Sequence, residues 1–139
     1  MIVAMERPFR FAVQRMGLDQ PEEVRNLARS AESAGFEEYY SSDHLGDEDP
    51  FISLMVAAEA APTMRVGPLV LNNEFHHPAL LARTAASVDR FTSGRLVLGI
   101  GTGYTQSEHD ASGILLRAPG PRVTRFEESV RALRSLLDT

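Results

Sequence analysis

Apolar and polar positions change their period several times along this chain, and each change marks a strand or a helix. Phe9 to Gln14 alternates at period two and predicts a first strand. Asp19 and Pro21 then signal a helix start, and Val24, Leu27, Ala28 and Ala31 recur at helical spacing up to Gly35, which ends the helix. Glu38 to Asp43 predicts a short second strand with two tyrosines, followed by a loop from His44 to Glu48. Asp49-Pro50 opens a second helix, rich in alanine and methionine, that runs to Ala61, because proline's missing N–H is harmless in a first turn. Arg65 to Leu71 predicts a third strand, Pro78 to Phe91 a third helix with Leu81, Ala85 and Val88 on one face, and Arg95 to Ile100 a fourth strand. Ser107 to Gly113 predicts a short helix and Leu115 to Pro121 a turn-rich loop. A last helix then places Phe126, Val130, Leu133 and Leu137 on one face, with Glu127 four residues before Arg131. Strands start roughly 30 residues apart, the length of a strand plus a crossover helix, so the expected class is α/β, four βα units with parallel strands.

Composition narrows this picture without changing it. The 139 residues are enough for one domain, 1–139, with a sizeable core, and 43% of them are hydrophobic. A formal net charge of −5, with 14 basic residues scattered along the chain, argues against nucleic acid or an acidic membrane surface as partner. Cysteine is absent, which removes disulfides and thiolate chemistry and fits a cytoplasmic location. The opening MIVAMERPFRFAV is too short and too interrupted for a signal peptide, and no stretch approaches the roughly 18 to 20 apolar residues of a membrane helix.

The candidate chemistry gathers at the strand ends. In parallel βα folds ligands bind beyond the carboxyl ends of the strands. Those ends carry Ser41 to His44, Asn72 to His77 and Gly101 to Tyr104. In Arg95 to Tyr104 an apolar strand breaks into alternating glycines. Their backbone at Gly99, Gly101 and Gly103 is bare enough for a flat cofactor to approach, and equally for close packing of a neighbouring strand. The run is not the dinucleotide fingerprint, because its third glycine comes one residue early. Asp43 serves either a ligand or a turn, and Asn72 and Asn73 suit left-handed turn positions. His76 and His77 are adjacent and should diverge, no paired-histidine metal spacing exists, and no metal site is expected. Neither a nucleophile elbow nor a Walker loop is present.

Taken in order, Ala34-Gly-Phe-Glu, Ser42-Asp-His44, Val66-Gly-Pro-Leu-Val-Leu71, His77 to Asp89, Ser93 to Tyr104 and Arg122 to Leu137 resemble the bacterial luciferase-like monooxygenase superfamily, especially its deazaflavin-dependent branch. The resemblance covers almost the whole chain. It implies the N-terminal half of a TIM (β/α)8 barrel, an oxidoreductase acting on a small-molecule substrate, and FMN or coenzyme F-420 at the strand ends. It further implies that Asp43 and His44 lie beside the cofactor ring, that Leu69-Val70 form a non-prolyl cis peptide behind it, and that Thr102 and Gly103 touch it from strand four. His44 becomes the catalytic proton donor or acceptor, since histidine changes charge near neutral pH. With deazaflavin the chemistry is hydride transfer at ring C5; with FMN it is oxygenation by the reduced flavin. Some deazaflavin sugar-phosphate dehydrogenases carry a catalytic glutamate where Tyr104 stands, so their substrate does not transfer. A complete barrel usually takes about 250 residues. Three compensations are open: two chains assemble into a barrel-like whole, the chain pairs with another protein, or it is a truncated remnant that folds differently. A homo-oligomer is expected, and the competing expectation is a truncated, non-catalytic half-barrel that dimerises through the helices around Phe51–Ala61 and Leu80–Val88, binds no cofactor and serves as a binding or structural protein.

Overall fold

Proline fixes where most of the helices begin. The computed structural model describes residues 9–17 and 20–138. Within them the helices are α1 (Pro21–Ser33), α2 (Pro50–Ala60), α3 (Pro78–Phe91), α4 (Gln106–Ser112) and α5 (Pro119–Leu137), and all but α4 carry proline in the first turn. Asp49 caps α2 by accepting from the Phe51 N–H at 2.9 Å, and the His77 ring accepts from the Ala79 N–H at 3.3 Å at the start of α3. Asp19 and the residues before Phe9 lie outside the described residues.

The strands are β1 (Ala12–Arg15), β2 (Glu38–Ser41), β3 (Arg65–Pro68), β4 (Leu71–Asn72) and β5 (Ile100–Gly101). Every pairing is parallel, β1 with β2, β2 with β3, and β4 with β5. Because β4 continues the line of β3, the strands occupy four neighbouring positions in chain order, each pair joined through a helix. This is the α/β architecture that the strand spacing predicts, and the arc of a partial barrel.

Three boundaries differ most from expectation, while β1 spans Ala12–Arg15 rather than Phe9 to Gln14 and β2 ends at Ser41 rather than Asp43. The third strand is not continuous from Arg65 to Leu71: it is split by a cis Leu69–Val70 peptide, and Pro68 has no N–H to offer a ladder. Leu69 N–H therefore bonds Ser41 on one side, and Leu71 N–H bonds Gly99 on the other. The fourth strand pairs regularly only over Ile100–Gly101, although Arg95 and Val97 both bond the backbone of Val66. The last helix starts at Pro119, inside the expected loop, because Pro119 and Pro121 occupy a first turn where their missing N–H groups cost little. Its buried residues are Ser129 and Leu133, while Leu137 is exposed, so the expected four-residue face is only partly used.

The core has two parts. Val24 and Ala28 of α1 and Leu54, Ala57 and Ala58 of α2 pack on Tyr39 and Val66, which face the helices from the sheet. Leu71, Leu81, Ala82 and Leu133 form the second cluster, under α3 and α5. Phe51 packs against both. On the opposite face of the sheet, strand alternation places Glu38, Tyr40 and Arg65, with the Tyr40 hydroxyl donating to Glu38 at 2.6 Å and Arg65 to the same carboxylate at 3.2 Å.

Candidate functional site

The carboxyl ends of the strands and the loops that follow them surround a cavity of about 360 Å³. Leu69 and Val70 form its apolar floor. Both remain 44% exposed, so a bare aliphatic surface faces the cavity from the break between β3 and β4. From β1, Gln14 donates its side-chain N–H to the Leu69 carbonyl at 2.9 Å and steadies that floor.

The polar wall begins where β2 ends. Asp43 Oδ2 accepts from the Asn72 backbone N–H at 2.8 Å and from His76 Nε2 at 3.1 Å, which ties the β2 loop to the β4 loop. His44 follows, with Nδ1 2.6 Å from Glu108 Oε1 and its ring edge-on to Tyr104, centroids 6.3 Å apart. Thr102, Gly103 and the largely exposed Tyr104 close the cavity after β5. All six residues singled out in the sequence, Asp43, His44, Leu69, Val70, Thr102 and Gly103, thus line one cavity. The adjacent histidines do diverge: His76 turns to Asp43, while His77 caps α3.

The glycine run serves a different purpose from the one that suits a flat ligand. A Cβ at Gly99 would strike the Pro68 carbonyl, one at Gly101 would lie 2.8 Å from Val70 Cγ2, and one at Gly103 would run into the Asn72 side chain. The missing side chains make room for neighbouring protein atoms. Gly103 also has a φ of 77°, a conformation that favours glycine.

Sequence reasoning missed Glu108, Gln14 and the anchor behind the wall. His109 is 2% exposed. Its Nδ1 lies 2.9 Å from the Ile114 carbonyl, which only accepts, so Nδ1 carries the hydrogen. Its Nε2 therefore accepts from Asn72 Nδ2 at 3.0 Å, while Asn72 Oδ1 accepts from the Glu74 N–H at 3.0 Å. One signal for Glu108 and His109 was available: α4 comes directly after the fourth strand's carboxyl end, where such a helix must border the site. Behind Asn72, the buried Glu74 carboxylate pairs with Arg117 and Arg125, fastening the start of α5 and the loop before it.

Residues 4–139 match the family model for luciferase-like monooxygenases. The chain is 29% identical over 127 residues to a 5,10-methylenetetrahydromethanopterin reductase of Methanolobus tindarius, a match covering 91% of this chain and 38% of that protein. It is 34% identical over 125 residues to an F420-dependent glucose-6-phosphate dehydrogenase of Nakamurella multipartita, covering 84% of this chain and 37% of that protein. The crystal structure of the monooxygenase RslO1 from Streptomyces bottropensis superposes with a TM-score of 0.78 at 27% identity, covering 91% of this chain and 42% of that one. The chain therefore spans about two fifths of the length of these relatives.

Proposed function

This chain belongs to the luciferase-like monooxygenase family, and from that premise we propose that its cavity receives the ring of FMN or coenzyme F-420 for oxidoreduction of a small organic substrate. The observation that carries the reading is the Leu69–Val70 floor, an exposed aliphatic surface under a rim of polar groups. A flat ring with an apolar face and polar edges suits such a cavity. When bound, the deazaflavin would supply hydride transfer and reduced FMN would supply oxygen activation. The chain's own residues do the rest. Leu69 and Val70 exclude water from beneath the ring, Asp43 is held rigid by Asn72 and His76, and His44 donates or accepts a proton at the cavity wall.

Calorimetric titration with FMN and with coenzyme F-420 tests this reading. One of them should bind, and Leu69→Asp, which sets a charge under the apolar ring face, should weaken that binding about tenfold or more. His44→Ala should leave cofactor affinity in place and lower turnover by about 10² to 10⁴. If neither cofactor binds, the reading fails and a non-catalytic half-barrel takes its place.

We also propose that the chain forms a homodimer or larger homo-oligomer through α2 and α3. Ile52, Leu80 and Phe91 on these helices are 66%, 55% and 77% exposed, apolar side chains that a second copy would cover. Light scattering at micromolar concentration should give a multiple of the 15.3 kDa chain mass. A monomer at every concentration would refute it.

A further inference from the structure

We propose that Glu108 is a positioning residue that fixes the tautomer of His44 and so decides which ring nitrogen meets the ligand. The two groups come from distant parts of the chain, the loop after β2 and the short helix α4, yet Nδ1 and Oε1 lie 2.6 Å apart. Their side chains are 27% and 16% exposed, so water competes weakly for the bond. An ionised carboxylate only accepts, which puts the shared hydrogen on Nδ1. Among the described residues no other group bonds the His44 ring, and Nε2 is left as the nitrogen that serves the cavity.

The placement of Glu108 follows from its neighbour. His109 is locked in the wall by Ile114, by Asn72 and by the Phe75 ring, whose centroid lies 4.8 Å away. With residue 109 fixed, the backbone of the preceding residue is held where its carboxylate reaches His44. When neutral, a His44 held in this way offers a lone pair at Nε2, so the ligand group it selects is a proton donor, a hydroxyl or an amine. When that group gives up its proton, its O–H or N–H bond breaks, an Nε2–H bond forms, and the carboxylate of Glu108 stabilises the resulting imidazolium. This is how an acidic partner supports a histidine base in hydrolases of other folds.

The use of His44 in catalysis rests on the function proposed above, but the tautomer can be read on the chain without cofactor. Long-range proton–nitrogen NMR of the 15N-histidine-labelled protein, above the pH where His44 is charged, distinguishes the two neutral forms. Wild type should show Nδ1–H at His44. Glu108→Gln should retain it, because the amide oxygen still accepts, and Glu108→Leu should lose it in favour of Nε2–H. The His109 signal, set by Ile114 and Asn72, should stay unchanged in all three and reports that α4 remains docked. If Glu108→Leu does not fold, Glu108→Ala replaces it, since a shorter side chain adds no bulk. An Nε2–H form in wild type overturns the proposal, and so does an Nδ1–H form that persists when Glu108 is leucine or alanine. Failure of both cofactors to bind would sink the proposed function while leaving this result standing.

Discussion

Gly103 sits with its bare α-carbon against the side chain of Asn72, and the pair shows how a residue's role can be hidden from its own sequence neighbourhood. Gly103→Ala should destabilise the protein by about 1 to 3 kcal/mol, from the left-handed backbone and from displacement of Asn72. Urea unfolding would measure the loss, and an alanine variant as stable as wild type would mean that Asn72 moves freely. From sequence the glycine run invited a ligand and strand packing equally. Only the strand on the other side of each glycine could decide between them, and that strand lies some thirty residues away in sequence. Asp43 and His44 were legible because a strand end in this architecture has one place to put them. Glu108 was not, because its meaning lies in a partner 64 residues earlier. Tyr40 gives a pH-dependent consequence at the same scale. Burial and the neighbouring Glu38 carboxylate push its phenol from 10.0 up to about 12. The neutral phenol therefore contributes stability that is fully present below about pH 10 and lost as pH rises towards 12. Ultraviolet titration should show a tyrosine ionising in that high range, absent in Tyr40→Phe, and the variant should lose less stability across the same interval.

Among the elements, α3 was fully legible, from Pro78 at its start to Phe91 at its end, because proline, period and a polar stop agree. Helix α5 was misplaced at its start for the opposite reason: two prolines resemble a loop until their position in a first turn is known. Helix α2 is apolar on nearly every side, so its sequence pattern shows that it is a helix without showing which way it turns. Its C-terminal end is held by a residue outside any helix. The Arg95 guanidinium donates to the carbonyls of Ala58, Ala61 and Met64 at 2.9, 3.1 and 2.7 Å, and its Nε to that of Thr92 at 2.8 Å. From sequence alone Arg95 is only the first residue of a strand. Replacing it by methionine keeps the stem and removes the fork, and should lower stability by about 2 to 4 kcal/mol in chemical denaturation. Arg95→Lys should recover only part of the loss, because one ammonium cannot reach four carbonyls in that arrangement. Full recovery would reduce the interaction to charge at a helix end.

Over the whole molecule, the parallel arrangement was readable from strand spacing alone, since a parallel partner needs a crossover of about that length. What the spacing could not reveal is that the core is divided. One cluster lies under α1 and α2, the other under α3 and α5, and Phe51 packs on both. Thermal unfolding of a small protein is all-or-none only when its parts lose structure together, and that coupling must pass through contacts the parts share. Phe51→Ala should therefore do more than lower the melting temperature. It should broaden the transition or split it in two, so that the calorimetric enthalpy exceeds the van't Hoff enthalpy, whereas Leu54→Ala, deep in one cluster, should cost about 2 to 5 kcal/mol and keep the two enthalpies equal. The size of the gap between the two enthalpies in Phe51→Ala would measure how much of the molecule's cooperativity depends on a single aromatic ring.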